Sequence, residues 1–159
     1  MKVFILAAGF GKRLRPFTEK LPKPLIKIKK KPLIHWNLIK IRKAGFKNIV
    51  INTHYQSNKI IRWVGSGKKY GLQIKYSHEE EIKGTGGALV TAKKIIQKEP
   101  FLLISGDLWS DYPFEKFLDF KLKKAAHLIF VKEKKSKDAY LEAGICLLYT
   151  SPSPRDETK

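Results

Sequence analysis

Six apolar residues in a row, Val3-Phe4-Ile5-Leu6-Ala7-Ala8, run directly into Gly9-Phe10-Gly11-Lys12-Arg13-Leu14-Arg15-Pro16. Val3–Ala7 is apolar throughout and does not alternate, as suits a strand buried on both faces of a parallel sheet. A glycine-rich, basic loop after such a strand lies at the carboxyl edge, where open α/β sheets bind ligands. Gly9 and Gly11 let backbone amides approach an anion with no Cβ in the way. Lys12, Arg13 and Arg15 add the charge a triphosphate requires. Two common phosphate loops do not fit. The dinucleotide fingerprint needs a third glycine where Leu14 stands, and a Walker A loop needs Ser or Thr where Arg13 stands.

The chain continues in the same grammar, with short apolar strands alternating with amphipathic helical stretches. Strands are predicted at Asn48–Thr53, Leu72–Ser77, Phe101–Ser105 and Ala126–Val131. Helices are predicted at Pro32–Ala44, which Gly45 stops, and at Ser57–Val64, Gly87–Lys98 and Phe114–Lys124. The pattern predicts an α/β, Rossmann-like three-layer sandwich with a mostly parallel central sheet. At 159 residues the chain is one domain by size.

The net charge of +19 invites a nucleic-acid reading. Its distribution argues otherwise, because the lysines are spread along the whole chain and outnumber arginine 28 to 5. Arginine is the residue suited to bidentate phosphate and base contacts. Lys29–Lys31, Lys123-Lys124 and Lys132–Lys137 read as solvated surface, and no nucleic-acid partner is expected. The excess charge still draws in anionic small substrates. No apolar stretch approaches the roughly 20 residues of a membrane span, and no export signal is visible, which points to the cytoplasm. Cys146 is the only cysteine, which excludes an intrachain disulfide.

Three further constellations carry chemistry. In Leu21-Pro22-Lys23-Pro24-Leu25, two prolines stiffen the backbone around one lysine, presenting a rigid cation to developing phosphate charge. In Glu79-Glu80-Glu81-Ile82-Lys83-Gly84-Thr85-Gly86-Gly87, small residues before a helix permit a flat ligand to approach unpaired N–H groups. Glu80 and Glu81 read as a solvated loop. In Ser105-Gly106-Asp107-Leu108-Trp109-Ser110-Asp111-Tyr112, a strand-end carboxylate at Asp107 is placed to hold a metal at the loop edge. Asp111 reads as a helix cap near Phe114, and Trp109 as packing beside the site. His35, His54, His78 and His127 lack partners at metal-ligand spacing and read as ordinary surface or packing residues.

Leu-Ala-Ala-Gly-x-Gly-x-Arg-Leu-x-Pro followed by Pro-Lys-Pro resembles the signature of the sugar-1-phosphate nucleotidyltransferases. The resemblance implies transfer of a nucleoside monophosphate from a nucleoside triphosphate to a sugar 1-phosphate, with release of pyrophosphate. It implies nucleotide contacts at Leu6, Ala7, Ala8, Gly9, Gly11, Lys12, Arg13, Lys23, Glu79, Gly84, Thr85 and Ser105. Arg13 and Lys23 would be catalytic, and Asp107 would be one Mg²⁺ ligand. Glu79 stands where relatives often carry a base-reading glutamine. Gly-Asp-x-Trp-x-Asp-Tyr, Tyr76-Ser77 and Thr85-Gly86-Gly87 look like the N-acetylmuramate 1-phosphate uridylyltransferases of cell-wall recycling. Mannose-1-phosphate guanylyltransferase and glucose-1-phosphate thymidylyltransferase are the alternatives. A non-catalytic nucleotide sensor and a basic nucleic-acid-binding module are the rivals from other classes. Intact Arg13, Lys23 and Asp107 argue against the sensor. The oligomeric state is not encoded in any recognisable motif.

From Cys146 the chain reads Cys-Leu-Leu-Tyr-Thr-Ser-Pro-Ser-Pro-Arg-Asp, which resembles the translated read-through of a sequencing adapter. Residues 1–145 are therefore expected to be the front of a nucleotidyltransferase domain, incomplete at its C-terminus. Residues 146–159 are expected to be a non-native or disordered tail. The second metal ligand and the sugar contacts would lie in the missing half, so the chain alone would turn over little or nothing.

Overall fold

The computed structural model describes residues 1–97, 99–110 and 112–119, and the backbone of 126–131 and 143–148. Its centre is β1 (Lys2–Leu6), flanked by β4 (Asn48–Thr53) and β6 (Phe101–Ser105), both parallel to it. β5 (Gln73–His78) continues the parallel set beside β4. β7 (Ala126–Val131) and β8 (Ala143–Leu148) close the far side, with β8 antiparallel to both β6 and β7. The sheet order is β5-β4-β1-β6-β8-β7. The chain leaves β1 to opposite sides for β4 and β6, so a switch point opens above the carboxyl end of β1.

The absence of polar–apolar alternation in the strands has a direct cause. Val3, Ile5, Ile49, Ile51, Leu102 and Ile104 face one core, and Phe4, Val50, Phe101 and Leu103 face another. The first core is covered by α2 (Leu33–Lys43), through Ile34, Leu38 and Ile41, and by α3 (Ser57–Val64), through Ile60 and Val64. The second lies under α4 (Gly84–Thr91) and α5 (Lys93–Ile96), through Ala88, Ala92 and Ile96. Two helical layers thus sandwich one sheet. α2 ends where Gly45 adopts φ +93°, a left-handed value that β-branched and bulky residues avoid.

Several elements differ from the sequence reading. The single helix expected at Gly87–Lys98 begins at Gly84 and divides at Ala92. At the division the Thr91 hydroxyl donates to the Gly87 carbonyl at 3.0 Å, a back-bond of the kind that bends helices. Of the helix expected at Phe114–Lys124, the described residues 114–119 form a 3₁₀ turn at Phe114–Phe117, and the remainder lies outside the described residues. Three-residue periodicity puts Phe114 and Phe117 on one side, and both are buried in the first core. Lys98, Asp111 and residues 120–125 lie outside the described residues. So do the lysine runs Lys123-Lys124 and Lys132–Lys137, together with the cap expected at Asp111.

Three short elements were not legible in the sequence: α1 (Phe17–Lys20) and a hairpin of β2 (Lys27–Ile28) with β3 (Lys31–Pro32). The sheet also runs beyond Val131, the end of the last strand expected. β8 takes in Cys146, Leu147 and Leu148, the first three residues set aside as a tail. Residues 149–159 lie outside the described residues, as do the side chains of His127 and Cys146. Among the described residues, no helix is long and apolar enough to cross a membrane.

Candidate functional site

β1 ends at Leu6, and the next ten residues fold over the carboxyl edge of the sheet. Gly11 takes φ +64°, and a Cβ there would lie 2.8 Å from the Thr18 methyl. Glycine is therefore required on two counts, backbone angle and space. Buried Thr18 fastens the loop, its hydroxyl donating to the Gly11 carbonyl at 2.9 Å. The Tyr55 hydroxyl reaches the Thr18 carbonyl at 3.1 Å, tying the loop to the end of β4. Pro22 enters a 3₁₀ turn at Lys23–Leu25, whose Pro24 and Leu25 are buried, so Lys23 projects from a fixed base.

Opposite Lys23, β6 delivers Ser105, Gly106 and Asp107. The Gly106 N–H donates to the Leu6 carbonyl at 2.7 Å. A Cβ on Gly106 would meet that same carbonyl oxygen at 2.8 Å. This glycine lets β6 stay against β1 one residue past the strand, and Asp107 emerges directly above it. One Asp107 carboxylate oxygen accepts from the Ser105 hydroxyl and the other from the Lys23 ammonium. Burial pushes the Asp107 carboxyl upward, but the Lys23 and Ser105 hydrogen bonds and the Lys23 charge outweigh it. The group is held below the ordinary carboxylate range, and it is ionised at neutral pH.

At the other end, Glu79 is buried at 3% exposure. The Asn52 amide donates to Glu79 Oε1 at 2.6 Å, and the Lys83 N–H to Oε2 at 3.3 Å. Asn52 is the residue that sequence reasoning missed. Its signal was an amide inside the apolar run of β4, which demands a buried partner. Glu80 and Glu81 are exposed, as read from the sequence.

All thirteen residues that the family resemblance implicates line one cleft of about 360 Å³. They are Leu6, Ala7, Ala8, Gly9, Gly11, Lys12, Arg13, Lys23, Glu79, Gly84, Thr85, Ser105 and Asp107. Leu14, Pro24, Asn52, Ile82 and Ala88 complete the lining. Arg15, expected to add charge for a triphosphate, does not line it. Lys12 lies over the Phe10 ring, 5.6 Å from the centroid. Trp109, read as packing beside the site, is instead 56% exposed, with its ring in a T-shaped contact with Trp36.

The histidines also differ from a scattered set. His54 and His78 stack with centroids 6.3 Å apart, and His54 Nδ1 lies 2.8 Å from the Glu79 carbonyl oxygen. His35 pairs with the Tyr70 hydroxyl at 3.1 Å. Among the described residues, no three His, Cys, Asp or Glu side chains gather as a metal cluster. Asp107 is thus a single hard oxygen donor facing a cleft. That suits Mg²⁺, which takes one or two carboxylates and completes its shell from phosphates and water.

Residues 2–140 match the nucleotidyl transferase family. The chain belongs to that family. Over 116 residues it is 42% identical to N-acetylmuramate alpha-1-phosphate uridylyltransferase of Neisseria meningitidis serogroup B, covering 72% of this chain and 50% of that protein. It is 38% identical over 137 residues to mannose-1-phosphate guanyltransferase of Yarrowia lipolytica, covering 84% of this chain and 38% of the relative. The chain therefore spans half the length, or less, of these two nucleotidyl transferases. HddC from Yersinia pseudotuberculosis, solved as a complex with GMP-PN, superposes with a TM-score of 0.71 at 29% identity. That match covers 80% of this chain and 56% of HddC.

Proposed function

We propose that the cleft binds a nucleoside triphosphate and serves transfer of its nucleoside monophosphate to a sugar 1-phosphate, with pyrophosphate released. The observation that carries this reading is the meeting of Lys23 with Asp107 beside the Gly9–Gly11 loop. Residues far apart in sequence bring one cation and one anion together in a cleft that Gly9 and Gly11 also line. The names of the relatives support the same reaction class.

In the proposed step a phosphate oxygen of the sugar phosphate attacks the α-phosphorus, forming a P–O bond. The bond from that phosphorus to the leaving pyrophosphate breaks. A phosphate monoester dianion is already nucleophilic, so no protein base is needed. The protein acts by positioning and by neutralising charge. The Leu6–Gly11 backbone holds the nucleotide, and Arg13 pairs with the β- and γ-phosphates. Lys23 neutralises the α-phosphate and the incoming phosphate. Asp107 would hold Mg²⁺, which supplies Lewis-acid polarisation of phosphate oxygens when bound. Asp107 and Lys23 neutralise each other. Substrate entry exchanges that partnership for phosphate on the lysine.

Uridylyl transfer to N-acetylmuramate 1-phosphate, within cell-wall recycling in the cytoplasm, is the preferred assignment. It is supported by the 42% relative and by the Gly-Asp-x-Trp-x-Asp-Tyr string. Guanylyl transfer to mannose 1-phosphate is a second reading, favoured by buried Glu79. A carboxylate offers only acceptors, which match the two adjacent donors of a guanine edge, whereas uracil presents a single N–H between two carbonyls. The test is a matrix assay of the protein as its gene encodes it. N-acetylmuramate, mannose and glucose 1-phosphates are each paired with UTP, GTP and dTTP, and pyrophosphate release is measured. Turnover with no pair would overturn the proposal, and turnover with one pair selects among the assignments.

A further inference from the structure

Trp109 lies two residues past Asp107, and two residues of chain span at most about 7 Å. Its backbone is thus held close to the carboxylate at the cleft edge, on the loop side of the sheet. The segment carrying it is tied down at several points. Leu108 packs against the first core, and its N–H donates to the Ser105 carbonyl at 3.2 Å. Lys40 from α2 donates to the Ser110 carbonyl, and the Tyr112 N–H donates to the Ser110 hydroxyl at 3.0 Å. Trp36 supports the indole, with ring centroids 5.9 Å apart at 77°. Trp36 is itself anchored, donating from Nε1 to the Ile28 carbonyl at 3.0 Å. A large aromatic face is therefore pre-positioned yet 56% exposed.

We infer that Trp109 is an acceptor-binding residue, a stacking platform for the pyranose ring of the sugar phosphate. The inference rests on the reaction proposed above and extends it to the sugar. A pyranose presents one face of C–H groups, which covers indole surface without leaving hydroxyls unpaired. Trp109 lies just outside the cleft lining, so a ring joined to a phosphate at Lys23 would extend past the Lys23–Asp107 pair toward the segment that carries the indole. The nucleotide end, at Glu79 and Gly84, lies across the cleft on the β4–β5 side. Trp109 therefore acts on the acceptor and not on the nucleotide.

The test uses Trp109→Ala and Trp109→Phe in the protein as its gene encodes it, with the sugar 1-phosphate that the matrix assay identifies. Trp109→Ala raises the KM for the sugar phosphate about tenfold, the factor carried by roughly 50–60 Å² of apolar contact. The KM for the nucleotide changes less than twofold, and Trp109→Phe falls between Trp109→Ala and the wild type. Adding sugar phosphate alters the tryptophan emission of the wild type and not that of Trp109→Phe. An unchanged acceptor KM in both variants overturns the inference. Equal rises in both KM values, accompanied by lost stability, overturn it in favour of packing. If the unaltered protein transfers to no sugar phosphate, the underlying reaction fails, and this inference with it.

Discussion

Replacing Lys23 by alanine separates the two roles that its position gives it. Its ammonium neutralises Asp107, and both side chains are about one-third exposed, at 32% and 31%. A partly exposed pair of this kind contributes at most about 1 kcal/mol to stability. In the reaction, the same ammonium stabilises charge that develops on phosphorus. Loss of one preorganised charge there costs roughly 10²–10³-fold in kcat, or about 2.7–4 kcal/mol. The variant should therefore fold almost normally and fail catalytically. Asp107 also loses its competing cation, so Mg²⁺ should bind the nucleotide-free variant more tightly, by on the order of fivefold if about 1 kcal/mol is released. Denaturant unfolding, steady-state kinetics and calorimetric titration with Mg²⁺ read the three effects separately. Near-normal kcat would refute the assigned role of the ammonium. Weaker Mg²⁺ binding would refute the competition between Lys23 and the metal.

Gly106→Ala should cut kcat about 10²-fold or more, because its Cβ would push against the Leu6 carbonyl and displace Asp107; an unchanged kcat argues against close placement of the carboxylate. Gly11→Ala should cost roughly 1–3 kcal/mol in denaturant unfolding, from the left-handed φ and the contact with Thr18. Glu79→Gln exchanges an acceptor for a donor beside the base, so kcat/KM for GTP should fall relative to UTP in competition assays. Stability should also decline at both ends of the pH scale. Burial raises Tyr70 and Tyr76 from 10.0 to about 12, so stability present below pH 10 is lost between pH 10 and 12, by at most roughly 3 kcal/mol per tyrosine. His35 is lowered from 6.5 by burial and by Lys31 and Lys69, and Asp107 is lowered from 3.8. Their contributions are present above those ordinary values and disappear as pH falls through the folded ones. Unfolding curves from pH 3 to 12 check both limbs.

What could be read without coordinates was whatever a short stretch encodes alone. The buried strands β1, β4 and β6 announce themselves because both faces are covered, which makes Val3–Leu6, Ile49–Ile51 and Phe101–Ile104 continuous apolar runs. The glycines and prolines around Lys23 and in the Gly9–Gly11 loop carry backbone constraints that any fold must respect. Together with the family resemblance, those local constraints pointed to thirteen of the eighteen residues that line the cleft. What failed to show was decided by contacts distant in sequence. Phe114 and Phe117 enter the first core from a 3₁₀ turn, whose spacing the sequence does not distinguish from that of an α-helix, and Thr91 back-bonds where a helix that propensity would leave whole divides. The hairpin at Lys27–Pro32 turns through Lys29 and Lys30 at positive φ, where composition predicts no turn.

Sequence by itself determined the kinds of group available: a soft basic loop, a stiffened lysine and a carboxylate at the end of a strand. Only the tertiary structure decided that Lys23 grips Asp107 across 84 positions of chain, that Asn52 holds Glu79, and that Trp109 stands exposed. Residue type sets what a side chain can do, whereas its partners depend on how distant segments pack, and no local pattern records that.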